Sequence, residues 1–164
     1  MPLLLRLPAA EPLVDPWRAE HDWAAAHGIP AHVTVRMPFL APEEWGDPRI
    51  HEVVAPFLPL PLTLARLEDR PGALVVLVEP DAELRRVTAA VDRAWPSLPP
   101  HKDGRRDVAY HVTVVRTPDP DVRAAAEDAI APQLPLAVTA TEAWAAERTP
   151  DGGVVHTRFV RPTP

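Results

Sequence analysis

The tetrapeptide His-Val-Thr-Val occurs twice in this chain, at His32 to Val35 and again at His111 to Val114. Strand side chains alternate between two faces, so His32 and Thr34 stand on one side and Val33 and Val35 on the other. His111 and Thr113 stand in the same way against Val112 and Val114. The valines demand a core behind each strand, while the polar pair opens to the opposite side. If the two strands meet in the fold, two imidazoles and two hydroxyls converge on one cleft.

The elements around the two copies follow a similar order. Strands are expected at Leu3 to Leu7, His32 to Met37, Leu62 to Leu67, Ala73 to Val78 and Ala109 to Val115. Leu136 to Ala146 and Val154 to Arg161 complete the set, joined by a hairpin turn at Thr149-Pro150-Asp151-Gly152-Gly153. Three Asp-Pro pairs predict helix starts, with Asp as N-cap and Pro in the first turn. They are Asp15-Pro16, Asp47-Pro48 and Asp119-Pro120. The first helix is expected to reach Ala26 and stop at Gly28. The second buries Ile50, Val53, Val54 and Phe57; the third carries Val122, Ala126 and Ile130 at helical spacing. A fourth, after Pro80, has Leu84, Val87, Val91 and Trp95 as its stripe. Each half thus reads strand, helix, motif strand, helix, strand, which predicts a single α+β domain over 1–164 with two pseudo-symmetric halves meeting near residue 70.

Composition narrows the function classes. The chain has 164 residues, 46% of them hydrophobic, enough for one domain or two lobes with a shared interface. A net charge of -6 argues against a general nucleic-acid coat, while leaving room for a small nucleotide or an RNA end in a local positive pocket. There is no cysteine, so thiol nucleophiles, disulfides and thiolate metal sites are excluded. The opening Met1-Pro2-Leu3-Leu4-Leu5-Arg6 is too short for a signal-peptide core, and no segment approaches membrane-spanning length. A cytoplasmic location and a monomeric state are expected. The 23 prolines are scattered and punctuate elements.

A single His-Val-Thr-Val reads as a strand histidine beside a threonine chosen for β-propensity. Two copies at equivalent places in a repeated plan point to function instead. On these residues, His32-Val33-Thr34-Val35 and His111-Val112-Thr113-Val114, the chain resembles the two-histidine (2H) phosphoesterase superfamily, in its bacterial 2'-5' RNA ligase-like and cyclic phosphodiesterase branch. That superfamily is defined by two His-x-Thr-hydrophobic motifs. The resemblance implies a bilobal duplicated α+β fold, with two antiparallel sheets forming a central groove and helices outside. It also implies metal-independent chemistry, without cofactor, on 2',3'-cyclic phosphates, 2'-5' linkages or cyclic nucleotides. One histidine then acts as base and the other as acid; His111 is assigned the base and His32 the acid in hydrolysis, with roles exchanged when the reaction reverses. Thr34 and Thr113 donate to the phosphate oxygens. Tyr110 departs from many relatives, which carry proline before the second histidine. The alternative reading is a non-catalytic nucleotide- or RNA-end-binding module of the same fold, and a blander one is a scaffold without a phosphate ligand.

Secondary candidates surround the motifs. Arg36 shares the cleft face with Thr34 if the strand is regular, and is a candidate phosphate ligand. Arg105 lies in the basic stretch His101-Lys102-Asp103-Gly104-Arg105-Arg106, which is placed to guide an RNA strand. Tyr110 and Phe39 are candidates to stack a base. His21 and His27 are placed on the first helix, His51 on the second and His156 in the last strand. No histidine spacing matches a zinc motif, so no metal is expected. Ser97, the only serine, is not in a nucleophile elbow, and no Gly-rich phosphate loop supports an ATP-dependent ligase.

Overall fold

A computed structural model describes residues 1–100 and 109–160. Eight strands and five α-helices are found among them: β1 Leu3–Arg6, α1 Glu11–His21, α2 Trp23–Ala26, β2 His32–Arg36, α3 Pro48–Val54, β3 Leu60–Arg70, β4 Ala73–Val78, α4 Ala82–Ala94, β5 His111–Arg116, α5 Pro120–Ile130, β6 Leu136–Ala140, β7 Glu142–Arg148 and β8 Val154–Val160. The strands form two four-stranded sheets, ordered β2-β1-β7-β8 and β5-β4-β3-β6. Every pairing is antiparallel. This is the α+β architecture that the strand and helix order led us to expect.

Both motif strands are edge strands, and β2 contacts β5, so the sheets meet along the two His-Val-Thr-Val segments. The connections cross over. β3 follows β2 and α3 in the chain but pairs with β4, while β7 leaves the second half of the chain to pair with β1. Helices cross in the same sense, α1 packing on β5 and α4 on β2. One continuous cluster of buried side chains therefore runs behind both sheets, including Leu3, Leu5 and Val33 from one and Val76, Val112 and Val114 from the other. The opposite faces of the sheets are left to line a groove.

Local chemistry explains most element boundaries. Asp47 and Asp119 are N-caps, accepting from Arg49 N and Asp121 N, each at 2.9 Å, with proline in the first turn. The hairpin turn closes through Gly152 N to Thr149 O at 3.0 Å, and Gly152 adopts φ +89°, a conformation that favours glycine.

Two expectations are corrected. Asp15-Pro16 does not start a helix: α1 begins at Glu11, with Pro12 in its first turn and Pro16 in its interior. Leu13 and Val14 are buried, which requires helix this early, and the Asp15 carboxylate instead accepts from Arg18 Nη1 at 2.9 Å. The helix then breaks at Asp22, whose carboxylate caps α2 through Ala24 N. His27 thus follows α2 rather than sitting on the first helix. Gly28 (φ +76°) does end the segment, in a Schellman-type turn where Ile29 N bonds Ala24 O at 2.9 Å. The second correction concerns Leu136 to Ala146, which is two strands in different sheets. The chain passes from one sheet to the other at Thr141.

Candidate active site

His32 and His111 are held in the same way. His32 Nδ1 lies 2.7 Å from the Pro30 carbonyl, and His111 Nδ1 lies 2.9 Å from the Ala109 carbonyl. In both cases the partner is the carbonyl two residues back. A carbonyl only accepts, so each Nδ1 carries a proton, and the neutral ring presents an unprotonated Nε2. Arg70 Nη1 also approaches His111 Nδ1, at 3.2 Å. Two N–H groups cannot bond each other, so this is a charge contact beside the carbonyl bond.

Both rings are half-buried, and burial disfavours the charged form of each. Burial pushes His32 from the ordinary imidazole value down to about 4; the Pro30 carbonyl and Asp22 oppose this, while Arg18 and Arg116 add to it. Burial likewise lowers His111, reinforced by Arg70 and Arg116 against the Ala109 carbonyl and Glu68. Arg116 is thus within electrostatic reach of both rings.

Arg116 reaches this position through a β-bulge. Thr113 pairs with Val75 and Val115 with Leu74, so Val114 is an extra residue in β5. The bulge reverses the alternation and puts Arg116, opposite Ala73, on the face of Thr113 and His111. Its Nη2 donates to Thr113 Oγ1 at 3.3 Å, and its Nε lies 3.5 Å from Asp22 of the other half. Regular alternation would have placed Arg116 with the buried valines, which is why sequence reasoning missed it.

The first motif carries the same bulge with a different result. Leu4 pairs with Thr34 and Leu3 with Arg36, so Val35 is the extra residue. Arg36 is thereby turned away from His32 and Thr34 onto the face of the core residues Leu3 and Val33. Its side chain is 6% exposed, with Nε on Asp92 at 2.7 Å, Nη1 on the Pro38 carbonyl and Nη2 on the Pro99 carbonyl. The condition for Arg36 to share the cleft face, a regular strand, is not met. Its guanidinium is a strut between β2, α4 and the segment at Pro99.

Where the sheets meet, a cavity of about 730 Å³ is lined by Thr34, Arg36, Met37, Arg85, Tyr110, His111 and Arg116 among others, so Arg36 still borders the cavity although it faces away from His32 and Thr34. His32 and Thr113 border the groove outside this cavity's lining, and Thr113 is buried. The Tyr110 hydroxyl lies 2.7 Å from Thr88 Oγ1, which itself donates toward the bulge carbonyl of Val35 at 2.8 Å. Tyr110 is thus pinned in the cavity wall, one ring face under Arg85. Phe39 is a core residue, edge-on to Trp95. Arg105 and the stretch 101–106 lie outside the described residues. Among the described residues, no cluster of three His, Asp or Glu side chains could hold a metal ion, and no helix is long and apolar enough to cross a membrane.

Two antiparallel sheets meeting at paired His-x-Thr strands define a LigT-like fold of the two-histidine phosphoesterase type. A family model described as the 2'-5' RNA ligase superfamily matches residues 6–152, and the chain belongs to that superfamily. Among solved structures it is similar to E. coli LigT complexed with 3'-AMP, at 18% identity and TM-score 0.57, covering 99% of this chain and 97% of that one. The same protein complexed with ATP matches at 18% identity and TM-score 0.52, over 99% and 97% of the chains. A structure described as a phosphoesterase matches at 18% identity and TM-score 0.53, over 99% and 98%. No curated protein matches the sequence.

Proposed function

We propose that this protein is a phosphodiesterase that opens 2',3'-cyclic phosphates at RNA ends or on nucleotides, by acid-base catalysis between His32 and His111. The observation that carries the proposal is the matched pair of imidazoles, each with Nδ1–H tied to its own strand and Nε2 available, with Arg116 in electrostatic reach of both. Anchored Nδ1 atoms fix tautomer and orientation, which is what proton transfer at Nε2 requires. Arg116 and the Thr34 and Thr113 hydroxyls supply donors for the non-bridging phosphate oxygens, where charge grows in the transition state.

The stronger depression of His32 fits it to be the base, reversing the assignment made from the sequence. In hydrolysis, His32 Nε2 takes a proton from water as the water oxygen bonds phosphorus. The P–O3' bond breaks, and protonated His111 delivers its proton to O3', leaving a 2'-phosphate. With a 5'-hydroxyl in place of water the same sequence forms a 2'-5' linkage, and its reverse, in which O3' attacks phosphorus and the 5'-oxygen leaves, exchanges the two roles. A bound phosphate anion favours the imidazolium form, so His111 gains its proton as substrate arrives. In this reading the protein acts as a monomer in the cytoplasm, with nucleotides or RNA ends as its partners, and Tyr110 forms a wall of the nucleoside site.

Incubation with 2',3'-cyclic nucleotides and with a short RNA ending in a cyclic phosphate, chelator present, tests the proposal. Appearance of 2'-phosphate products is the expected result. Phosphate-dependent binding without turnover would instead make the protein a binding module, and neither binding nor turnover would refute both.

A further inference from the structure

The groove face of the first sheet continues beyond the two histidines, and its far side is not used by the chemistry above. Register places Thr34, Leu4, Trp144 and Arg158 in one row across β2, β1, β7 and β8, all on the face of His32. Strand period places Arg148 on that face too, since it follows Trp144 by four residues. His156, opposite Ala146, joins them.

These side chains form two similar assemblies. The Trp144 ring has His156 against it at 4.7 Å and the Arg158 guanidinium over it at 5.9 Å. Trp23, at the start of α2, has His27 stacked at 4.4 Å and the Arg148 guanidinium over it at 4.8 Å. Trp144 is buried and acts as a base plate, while Trp23 is 40% exposed. Arg148, His156 and Arg158 are all solvent-exposed.

Their charge is not neutralised. Among the described residues every arginine lies within ion-pair distance of a carboxylate, save Arg93, Arg148 and Arg158. The one acid in the same rows, Glu142, is taken by Arg6 at 3.6 Å and by the Trp144 indole N–H at 2.8 Å. In a chain of net charge -6, two unpaired guanidiniums on one groove wall, each laid on an indole, favour a polyanion. A guanidinium held flat by an aromatic ring keeps its N–H edge free for phosphate, at reduced entropic cost. The exposed His156 imidazole and the exposed part of Trp23 beside these arginines offer surfaces for bases, which stack without sequence preference.

We propose that this face binds the single-stranded RNA that leads away from the reacting phosphate, so that the protein prefers an oligonucleotide end over a free nucleotide. The proposal rests on the phosphodiesterase reading for what sits at Thr34, but its binding arm stands alone. The sheet's strands are about 4.8 Å apart, so Trp144 lies roughly 10 Å across the sheet from Thr34. That is within reach of the next nucleotides of a strand whose end lies at the histidines.

The test compares uridine 2',3'-cyclic phosphate with a short oligouridylate ending in the same group, in the full-length protein and its R148Q/R158Q variant. Wild type should have a KM about tenfold lower for the oligonucleotide, and the variant should lose most of that preference. Its kcat/KM on the mononucleotide should stay within about twofold of wild type. Anisotropy of a labelled oligouridylate with a 3'-phosphate reads binding without turnover. There the slope of log affinity against log salt should flatten by about 1.4, the value for two lost contacts to a single strand. Arg93→Gln removes one unpaired guanidinium from α4 and should change neither. The proposal is overturned if wild type treats both substrates alike, if R148Q/R158Q binds the oligonucleotide like wild type, or if Arg93→Gln weakens binding equally. It is also overturned if a poly-glutamate peptide binds as tightly as the RNA. Variant-sensitive RNA binding without turnover of either substrate would instead overturn the phosphodiesterase reading and leave this one standing.

Discussion

His32 and His111 each donate Nδ1–H to a carbonyl two residues back, so each has only Nε2 left for chemistry. Their titration then dictates how rate depends on pH. In the free protein His32 loses its proton near 4 and must be neutral to act as base, so kcat/KM should fall as pH drops through that value. His111 must be protonated to act as acid and is depressed below the ordinary 6.5, so kcat/KM should also fall as pH rises through its lowered value. The expected profile is a bell with its maximum on the acid side of 6.5, measured as kcat/KM on a cyclic nucleotide. His111→Ala should remove the alkaline limb and leave the acid one. Arg116 gives a second prediction at this scale. Arg116→Gln should lower kcat/KM by about 10²-fold through loss of a charged donor, and Arg116→Lys should restore only part, because ammonium lacks the planar fork. The motif residues were legible because alternation alone puts histidine and threonine on one face. Arg116 was not, since its face depends on a bulge and not on its distance from Thr113 in sequence.

At the scale of elements, the two bulges stand at the same motif position, Val35 in β2 and Val114 in β5. Each extra residue pushes the next side chain into the core and the one after toward the groove. Arg36 is therefore the counterpart of the fully buried Val115, and Arg116 that of Met37. A buried arginine needs a partner, and Asp92 with two backbone carbonyls supplies it. Asp92→Ala should cost about 1–3 kcal/mol of stability in chemical denaturation, the range for leaving a buried donor without its partner, while kcat on a cyclic nucleotide changes little. A large loss of kcat with stability unchanged would return Arg36 to the substrate. Bulges escape a sequence reading because an inserted valine has the same composition as a regular one. The same limit applied to Leu136 to Ala146, where a continuous β-prone run hides a crossing between sheets. Asp15-Pro16 misled for another reason: Glu11-Pro12 also offers a first-turn proline, and burial of Leu13 and Val14 decided between them.

For the whole molecule, strand and helix exchange makes the halves interdependent. β3 completes the sheet of β4 and β5, β7 completes the sheet of β1 and β2, and one core runs behind both. Neither half can bury its motif strand alone, so the domain should unfold in one cooperative step. Tryptophan fluorescence and far-UV circular dichroism should give one coincident urea midpoint, and separate midpoints would mean separable lobes. The repeated element order was visible in the sequence, but the exchange of strands between sheets was not, because pairing partners leave no mark on strand composition. The exchange brings β2 and β5 together, and that contact is the physical basis of the proposed chemistry. The most direct measurement is a double-mutant comparison of His32→Ala, His111→Ala and the double variant on an RNA ending in a 2',3'-cyclic phosphate. Each single variant should lose about 10²–10⁴-fold in kcat, and the double variant should be no worse than the poorer single, as for two groups working in one step. Full activity in either single variant would contradict the account.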